Sequence, residues 1–347
     1  DGRFHYQYFP LADRHPDPRR SQYSLPRHAG TVYALALLHG LTGEPAFKGG
    51  AEKAIAWLDT RIPKACGTPE RACVLKDDRI ADLGSTALTL VGMLEYQRRT
   101  GDGRYAPTAR RLLEFVLWLQ RPDGSFRHVY DVKADRVDEA ELLMFYSEEA
   151  ALALVMAHAV LGDARYLQAA ERALDHLTGP KYAGFFLGRF IYGADHWTCI
   201  AADEAWPRLK NPQYLDFCLG YSRFIRRMQY EPTGWDNADF RGHYGFTGFM
   251  VPQAPAAAGF TEAVISTWDL SLKHGRPAPD VHAQAAEALD ALARERIRPE
   301  NAWMMPRPDY AAGGIRRSLV EGEVRIDFTQ HAASALIRGA RMTAPGG

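Results

Sequence analysis

Residues 147–177, SEEAALALVMAHAVLGDARYLQAAERALDHL, contain the pattern that decides the fold. An apolar stretch rich in Ala and Leu ends at Gly162, and a second stretch follows in which apolar and charged residues recur at helical spacing. Glycine commonly ends a helix in a left-handed cap, and apolar residues three or four apart are typical of an amphipathic helix. The stretch therefore predicts a helical hairpin with a buried first helix and a half-exposed second helix.

The same pattern recurs along the chain, in residues 28–58, 84–119, 147–177, 195–225 and 260–293, and its first half recurs in 330–342. The breaks TGEPAF, TGDGRY, LGDARY and LKNPQY each combine a turn former with a following aromatic residue. An inner ring of buried helices inside an outer ring of half-exposed ones satisfies both helix types. We therefore predict an all-α (α/α)6 toroid; an open solenoid is the competitor, but it would need polar capping repeats.

The toroid is predicted to be one domain over residues 1–347, in which residues 1–26 are an N-terminal extension packing on the ring. If the ring closes, that region is expected to supply the missing partner of the sixth helix. Between the pairs, RPDGSFRHVYD (121–131) suits a short β-hairpin. The connections at 179–197 and 230–252 are rich in Gly and aromatics. All of these are expected at one mouth of the ring, where binding residues concentrate on loops.

Composition excludes several classes of protein. Hydrophobic residues make up 46% and charged residues 24% of the 347, which is ordinary for a globular protein. Lys and Arg number 42, as do Asp and Glu, so no basic excess favours nucleic acid. No apolar run is long enough to span a membrane. Nucleotide-binding and esterase motifs are missing, and no metal or other cofactor is predicted from the spacing of histidines.

The four cysteines of the chain give information about the cellular compartment in which it is located. Cys66 and Cys73 bracket the polar turn CGTPERAC and are predicted to form a disulfide, which favours an extracytoplasmic location, periplasmic or secreted. A first residue Asp1 fits a processed chain. Cys199 and Cys218 lie in apolar helical stretches and are expected to be small core residues.

Residues at the start of each inner helix are expected to face the same funnel. They are Arg27, His28, Asp82, Tyr146, Glu148, Glu149, Asp195, His196, Trp197, Glu262, Asp327, Gln330 and His331. Any one acidic residue among them could simply cap its helix. Helix capping does not, however, explain why three histidines, a tyrosine and a tryptophan also occur at the starts of these inner helices.

Two clusters and one loop stand out. In ADHW, Asp195 is a candidate acid or base, His196 a binding group and Trp197 a candidate sugar platform, or else an ordinary cap and core residue. Glu148 and Glu149 are adjacent, so one is expected to face the funnel, while the other could cap the helix. The loop WDNADFRGHYG supplies Trp235, Asp236, Asp239, Arg241 and His243, which suit a sugar-binding rim; the alternative is a solvated loop with a core tryptophan.

Paired carboxyls are what glycoside hydrolysis requires, one as acid and one as base or nucleophile. The catalytic candidates are Asp195, Asp82, Glu149 and Glu148; the substrate-binding candidates are Arg27, His28, Tyr146, His196, Trp197, Trp235, Asp236, His243, Asp327 and His331. An alternative chemistry uses His or Tyr to take a proton next to a carbonyl, as an epimerase or lyase would.

The repeats RHAGTVYALALLHGLTGE and SEEAALALVMAHAVLGDARYLQAAERALDHL resemble those of α/α-toroid carbohydrate-active enzymes. That group includes six-hairpin glycoside hydrolases, some polysaccharide lyases, N-acylglucosamine 2-epimerases and glucuronyl C5-epimerases. The resemblance implies a funnel that binds a polysaccharide or oligosaccharide, with acidic residues at the inner-helix starts. An exported glycoside hydrolase is the leading hypothesis. The alternatives are a cofactor-independent sugar epimerase or polysaccharide lyase, and a non-catalytic toroid that binds glycan or protein during polysaccharide export or assembly.

Overall fold

The structure is a computed structural model that describes residues 1–17, 23–180, 186–187, 190–191, 195–231, 238–245 and 251–342. Thirteen α-helices and seven short strands form within these residues. The helices α1 to α13 span Leu25–Thr42, Pro45–Asp59, Leu83–Thr100, Ala106–Leu119, Tyr146–Leu161, Ala164–Leu177, His196–Ala205, Pro212–Arg226, Ala254–Lys273, Pro279–Glu295, Pro299–Ala302, Pro308–Ala311 and Ile326–Gly339. The strands β1 to β7 span Gln7–Tyr8, Ile80–Asp82, Val129–Asp131, Arg136–Asp138, Phe186–Leu187, Phe190–Ile191 and Val324–Arg325.

The chain forms two compact units. The first unit comprises Asp1–Arg3 and Leu25–Tyr214, and the second comprises Phe4–Ser24 and Leu215–Gly347. The expectation that residues 1–347 act as one domain stays a prediction.

The first unit is a series of helical hairpins. The first helices of successive pairs pack on one another, α1 on α3, α3 on α5 and α5 on α7, while α2, α4 and α6 lie against their own partners. Every residue of α3 from Leu83 to Tyr96 is buried, whereas α4 buries one face only. Burial on all sides explains why the first helix of each pair is apolar nearly all round.

Glycine ends two of the buried helices as the sequence predicts. Gly101 follows α3 with φ +72°, and Gly162 follows α5 with φ +77°, both in the left-handed region. The backbone N–H of Gly162 donates to the carbonyl of His158, one of the carbonyls that the helix end would otherwise leave without a partner.

A small antiparallel sheet leads into α3. Strand β3 pairs on one side with β2 and on the other with β4, and Asp82 at the end of β2 lies opposite Val129. The hairpin predicted within 121–131 is thus present only as the isolated bridge between Gln120 and Phe126, while the end of that stretch, β3, pairs with strands outside it. Because β2 runs directly into α3, the sheet determines where Asp82 and the first turn of α3 are held.

The second unit is built on α9, α10 and α13, which pack together. Strand β1 pairs with β7, and Tyr8 joins a small core with Ile297 and Met305. The expectation that the N-terminal region supplies a partner helix for the sixth pair is wrong for the described residues before α1. They form β1 and a single 3-10 turn, Pro10–Ala12, because Pro10 and the aromatic-rich flanking sequence favour extended chain and turn over helix.

All four cysteines are oxidised. Cys66 and Cys73 form the predicted disulfide. Cys199 and Cys218 are fully buried, as expected, but they too are disulfide-bonded, so the view of them as simple core residues is wrong. Both lie in apolar helices, and no turn sequence like that around Cys66 signals a bridge. None of the described helices is long and apolar enough to cross a membrane.

The disulfides predict a definite thiol count. The native chain, denatured without reductant, should take up no iodoacetamide, and after reduction it should take up four labels by mass spectrometry, because no free cysteine is present. The variant Cys66→Ser should expose one thiol, that of Cys73, without reductant. Labelling of the unreduced wild-type chain would contradict this pairing.

Candidate active site

The first turn of α5 carries the central acidic residues of the first unit. Phe145, the residue before the helix, has φ +73°, a left-handed conformation that is rare for a side chain of this size. Glu148 and Glu149 follow in the first turn and are 2% and 4% exposed. Consecutive helical residues point about 100° apart, so the two carboxyls reach different neighbouring helices.

Glu149 faces the start of α3. Burial, and then the charge of Asp82, raise the pKa of the Glu149 carboxyl well above its ordinary value. Asp82 caps α3, since its Oδ1 accepts a hydrogen bond of 2.6 Å from the N–H of Ser85. The hydroxyl of Tyr146 is directed at the same Asp82 carboxyl, and burial together with that charge raises the pKa of Tyr146. One acid therefore caps a helix and at the same time helps to form a buried polar cluster.

Glu148 faces the start of α7. Its carboxyl is hydrogen-bonded to that of Asp195, and it also accepts a hydrogen bond from the backbone N–H of Trp197. Burial, and then the charge of Asp195, raise the pKa of Glu148 well above its ordinary value. Two carboxyls in direct contact cannot both ionise readily. The protonated Glu148 therefore donates to Asp195.

Neither glutamate caps α5, although the sequence left that role open for one of them. Asp195 precedes α7, but its side chain makes no capping hydrogen bond to that helix. It is hydrogen-bonded to Glu148 instead. A buried carboxyl is costly unless it is neutral or hydrogen-bonded. Pairing across helices satisfies that requirement better than capping, because it serves two buried acids at once.

Aromatic rings at the starts of α5 and α7 contact one another. The ring of His196 lies edge-on to Phe145, with centroids 5.5 Å apart, and 5.2 Å from the ring of Trp197. Trp197 is only 2% exposed, and its predicted stacking on a sugar stays a prediction. Glu148 and Asp195 are themselves buried, and this burial is the main cause of the raised pKa of Glu148.

Two further candidates lie on α1. His28 is fully buried, its Nε2 is 3.0 Å from the carbonyl oxygen of Ala54, and its ring packs on Trp57. Burial lowers the pKa of His28 to about 4, so the imidazole is neutral and donates to that carbonyl. Arg27 is half-buried in the first turn of the helix. The structure thus places His28 against α2, and its role in binding stays a prediction.

The second unit holds three other candidates. His331 on α13 contacts Glu262 on α9, with Nδ1 and Oε2 2.7 Å apart. Burial would raise the pKa of Glu262, but the charge and hydrogen bond of His331 outweigh it and leave that pKa below its ordinary value. Asp327 pairs with Arg325 at 2.6 Å, and His243 is fully buried against Glu295 at 3.0 Å. Trp235 and Asp236 lie outside the described residues.

Three positioning residues escaped the sequence analysis. A Cβ at Gly84 would overlap the ring of Tyr146 and approach Oε2 of Glu149 to 2.8 Å, so only glycine leaves room for them. His128 holds Ser147 through Nε2 at 2.9 Å and accepts the N–H of Leu143 at Nδ1. Phe145 is the third. The only signal for Gly84 is its place two residues after Asp82, and a glycine near the start of a helix is too common to indicate a site by itself.

No protein-family model matches the chain, and no curated protein does either. Solved structures do match it over nearly its whole length. A sugar epimerase from a ruminal bacterium has a TM-score of 0.68 at 13% identity, covering 98% of this chain and 92% of its own. The GH76 α-mannanase of Bacteroides thetaiotaomicron has a TM-score of 0.63 at 14% identity, with coverages of 93% and 87%. An unsaturated glucuronyl hydrolase specific for heparin has a TM-score of 0.64 at 14% identity, with coverages of 97% and 90%.

These likenesses define the class of fold. The chain has the all-α fold of the α/α-toroid carbohydrate-active enzymes, which confirms the prediction from the hairpin repeats. At identities of 13–14%, these similarities establish the fold of the chain but not the reaction that it catalyses.

The raised pKa of Glu149 predicts how stability depends on pH. In the folded chain this carboxyl keeps a proton that the unfolded chain releases above about pH 4.3. Its contribution to folding is therefore complete at low pH and is lost as the pH rises through the folded-state pKa. We expect Glu149→Gln, which cannot ionise, to make the decline in the free energy of unfolding between pH 5 and 8 shallower, measured by urea denaturation.

Glu171→Gln is the matched control, because Glu171 is an exposed residue on α6. Its stability profile should run parallel to that of the wild type. A Glu149→Gln profile with the wild-type slope would show that Glu149 is not protonated in the folded chain.

Proposed function

We propose that this protein is a carbohydrate-active enzyme, a glycoside hydrolase that cleaves a polysaccharide or oligosaccharide with the buried carboxyls at the starts of α3, α5 and α7. The observation that carries the proposal is the burial of four acids at these helix starts, where Glu148 is hydrogen-bonded to Asp195 and the charge of Asp82 helps to raise the pKa of Glu149. An acid with a raised pKa beside an acid that can hold a negative charge is what glycoside hydrolysis requires.

Glu149 is proposed as the general acid. Burial and the charge of Asp82 raise its pKa well above the ordinary value, so it keeps a proton to higher pH than an exposed glutamate does, and within the described residues its Oε2 has no hydrogen-bond partner. Its proton passes to the glycosidic oxygen as the bond to the anomeric carbon breaks. Asp82 and Tyr146 lie near the acid, and Gly84 leaves the space that it occupies.

Asp195 is proposed as the general base. Glu148, whose pKa is raised, donates a hydrogen bond to Asp195, and such a bond favours the ionised form of the carboxyl that accepts it. Asp195 takes a proton from a water molecule, whose oxygen bonds to the anomeric carbon as the leaving group departs. The net reaction adds water across the glycosidic bond, and both carboxyls return to their starting states by proton exchange with solvent.

The substrate is proposed from the fold class and the predicted binding residues. The similar structures are named as an α-mannanase and as a hydrolase specific for heparin, which supports an oligosaccharide or polysaccharide here. Tyr146, Trp197 and Trp235 are proposed to contact sugar rings, as aromatic faces suit the apolar face of a pyranose.

An extracytoplasmic location is proposed as well. All four cysteines are in disulfides, and disulfides persist mainly in oxidising compartments such as the periplasm or the cell exterior.

Asp195→Asn tests the hydrolase proposal. On α-1,6-mannan and a panel of neutral and acidic polysaccharides, the wild type should release reducing ends. The variant should lose at least about 100-fold in that rate, because the base is gone, while substrate binding is retained. Both quantities can be measured, the rate with a reducing-sugar assay and the binding by calorimetry.

Asp290→Asn is the control, because Asp290 is an exposed residue on α10. It should leave the rate unchanged. Unchanged turnover in Asp195→Asn would remove Asp195 from the mechanism. Binding without release of reducing ends across the whole panel would overturn the hydrolase and favour a non-catalytic glycan-binding toroid.

A sugar epimerase or polysaccharide lyase is the second candidate, and the Glu262–His331 contact of 2.7 Å favours it. A carboxylate bonded to one nitrogen of an imidazole orients the ring and strengthens it as a base. In this version His331 removes a proton from the carbon next to a carbonyl.

Solvent deuterium separates the two candidates. An epimerase incorporates deuterium from D2O at carbon, a lyase creates a double bond that absorbs in the ultraviolet, and a hydrolase does neither. If either signal appears, His331→Gln should reduce it at least about 100-fold. A signal that survives in His331→Gln would exclude this histidine as the base.

A further inference from the structure

The second unit contains a pocket that the proposed reaction does not use. Its volume is about 290 Å³, and it lies between the end of α10, the short helix α11 and the segment that leads to β7. Arg294, Arg298 and Arg316 line it together with Asn301. Asp239 also lines the pocket, so three guanidinium groups face one carboxyl group.

The side chains of two of these arginines are held by hydrogen bonds to neutral groups, which leave their positive charge in place. Arg294 donates from Nε to the carbonyl oxygen of Asp239 at 3.1 Å and from Nη2 to that of Arg241. Arg316 donates from Nε to the carbonyl oxygen of Glu295 at 3.2 Å and from Nη2 to that of Arg294 at 2.8 Å. Neutral carbonyls orient a guanidinium but leave its charge, and each of these arginines keeps the N–H groups of Nη1 for a further acceptor.

Arg298 is the third arginine of the pocket. The structure gives its side chain no ion pair within the described residues, and the same holds for Arg294 and Arg316. By contrast, the neighbouring Arg317 pairs with Glu321. Three positive charges with no acidic partner within the described residues therefore meet in one pocket, although the whole chain has no net charge.

The remaining lining decides between a bare ion and a larger ligand. Phe240, Leu319 and Val320 supply an apolar surface beside the arginines. An inorganic anion has no apolar part that could pack on such a surface, whereas a pyranose ring carries C–H groups that pack on it. The volume is at the small end of ligand pockets, which suits one sugar unit rather than a long segment.

We propose that this pocket binds one acidic sugar unit, with its carboxylate or sulfate group held by Arg294, Arg298 and Arg316 and its ring on Phe240 and the neighbouring apolar side chains. Guanidinium groups match the two oxygens of a carboxylate and are the preferred partners of oxyanions. The choice of a sugar as ligand rests on the proposed function, but the site is separate from the carboxyls that would carry out hydrolysis. It would select acidic over neutral glycans.

Calorimetry with the full-length protein tests the site, using sodium D-glucuronate against D-glucose, and with inorganic sulfate and phosphate as further ligands. Glucuronate should bind, glucose should bind at least about tenfold more weakly, and added salt should weaken glucuronate binding. Arg298→Gln should reduce glucuronate affinity about tenfold or more, and this exposed residue can change without removing the backbone contacts that Arg294 and Arg316 make.

Arg317→Gln is the matched control, since Arg317 is adjacent in sequence to Arg316 but pairs with Glu321 and does not line the pocket. Its affinity for glucuronate should equal that of the wild type. Equal binding of glucuronate and glucose would overturn the proposal. So would binding of sulfate and phosphate without glucuronate, or an affinity in Arg298→Gln equal to that of the wild type.

Asp195→Asn keeps this test distinct from the test of the hydrolase. It should leave glucuronate affinity unchanged, because Asp195 does not line the pocket. Glucuronate binding that depends on Arg298, in a protein without hydrolase activity, would support the pocket and overturn the proposed reaction. Loss of glucuronate binding in Asp195→Asn would overturn the separate pocket.

Discussion

The burial of two adjacent carboxyl groups at the start of α5 is the constraint on which the first unit depends. A carboxylate removed from water is strongly unfavourable unless it is protonated or hydrogen-bonded. Glu148 and Glu149 point about 100° apart, so they face different neighbours. Glu148 is hydrogen-bonded to Asp195 before α7, whereas Glu149 faces Asp82 before α3, and burial and that charge raise its pKa. Both neighbouring helices therefore begin next to the first turn of α5.

The local structure around these acids is consistent with that requirement. Strand β2 ends at Asp82 and holds it in place, and Gly84 lets Tyr146 and Glu149 approach the first turn of α3. Phe145 adopts a left-handed backbone conformation at a cost of roughly 1–2 kcal/mol. Strained conformations of this kind persist where the surrounding packing determines them, and they are concentrated at functional sites. Here the packing is that of the buried helices α3, α5 and α7.

Buried acids of the protein are stabilised in two ways. Glu148 is hydrogen-bonded to another acid, and its pKa rises, so it keeps a proton. Glu95 pairs with Arg98 and Arg99, Glu262 with His331 and Asp327 with Arg325, while three arginines share a pocket with a single acid. A net charge of zero reveals neither arrangement, because composition counts charges without regard to where they lie.

The sequence by itself determined the helical hairpins, their buried first helices, the glycines that end them and the toroid class, because these follow from periodicity and from turn chemistry over a few neighbouring residues. It also predicted the Cys66–Cys73 disulfide and the acids at the helix starts. Only the tertiary structure decided that Glu148 is hydrogen-bonded to Asp195 and that Glu149 faces Asp82, that Cys199 and Cys218 are oxidised, and that Arg294, Arg298 and Arg316 converge. These contacts depend on the relative placement of separate segments, and in a single sequence nothing records which distant side chains will meet.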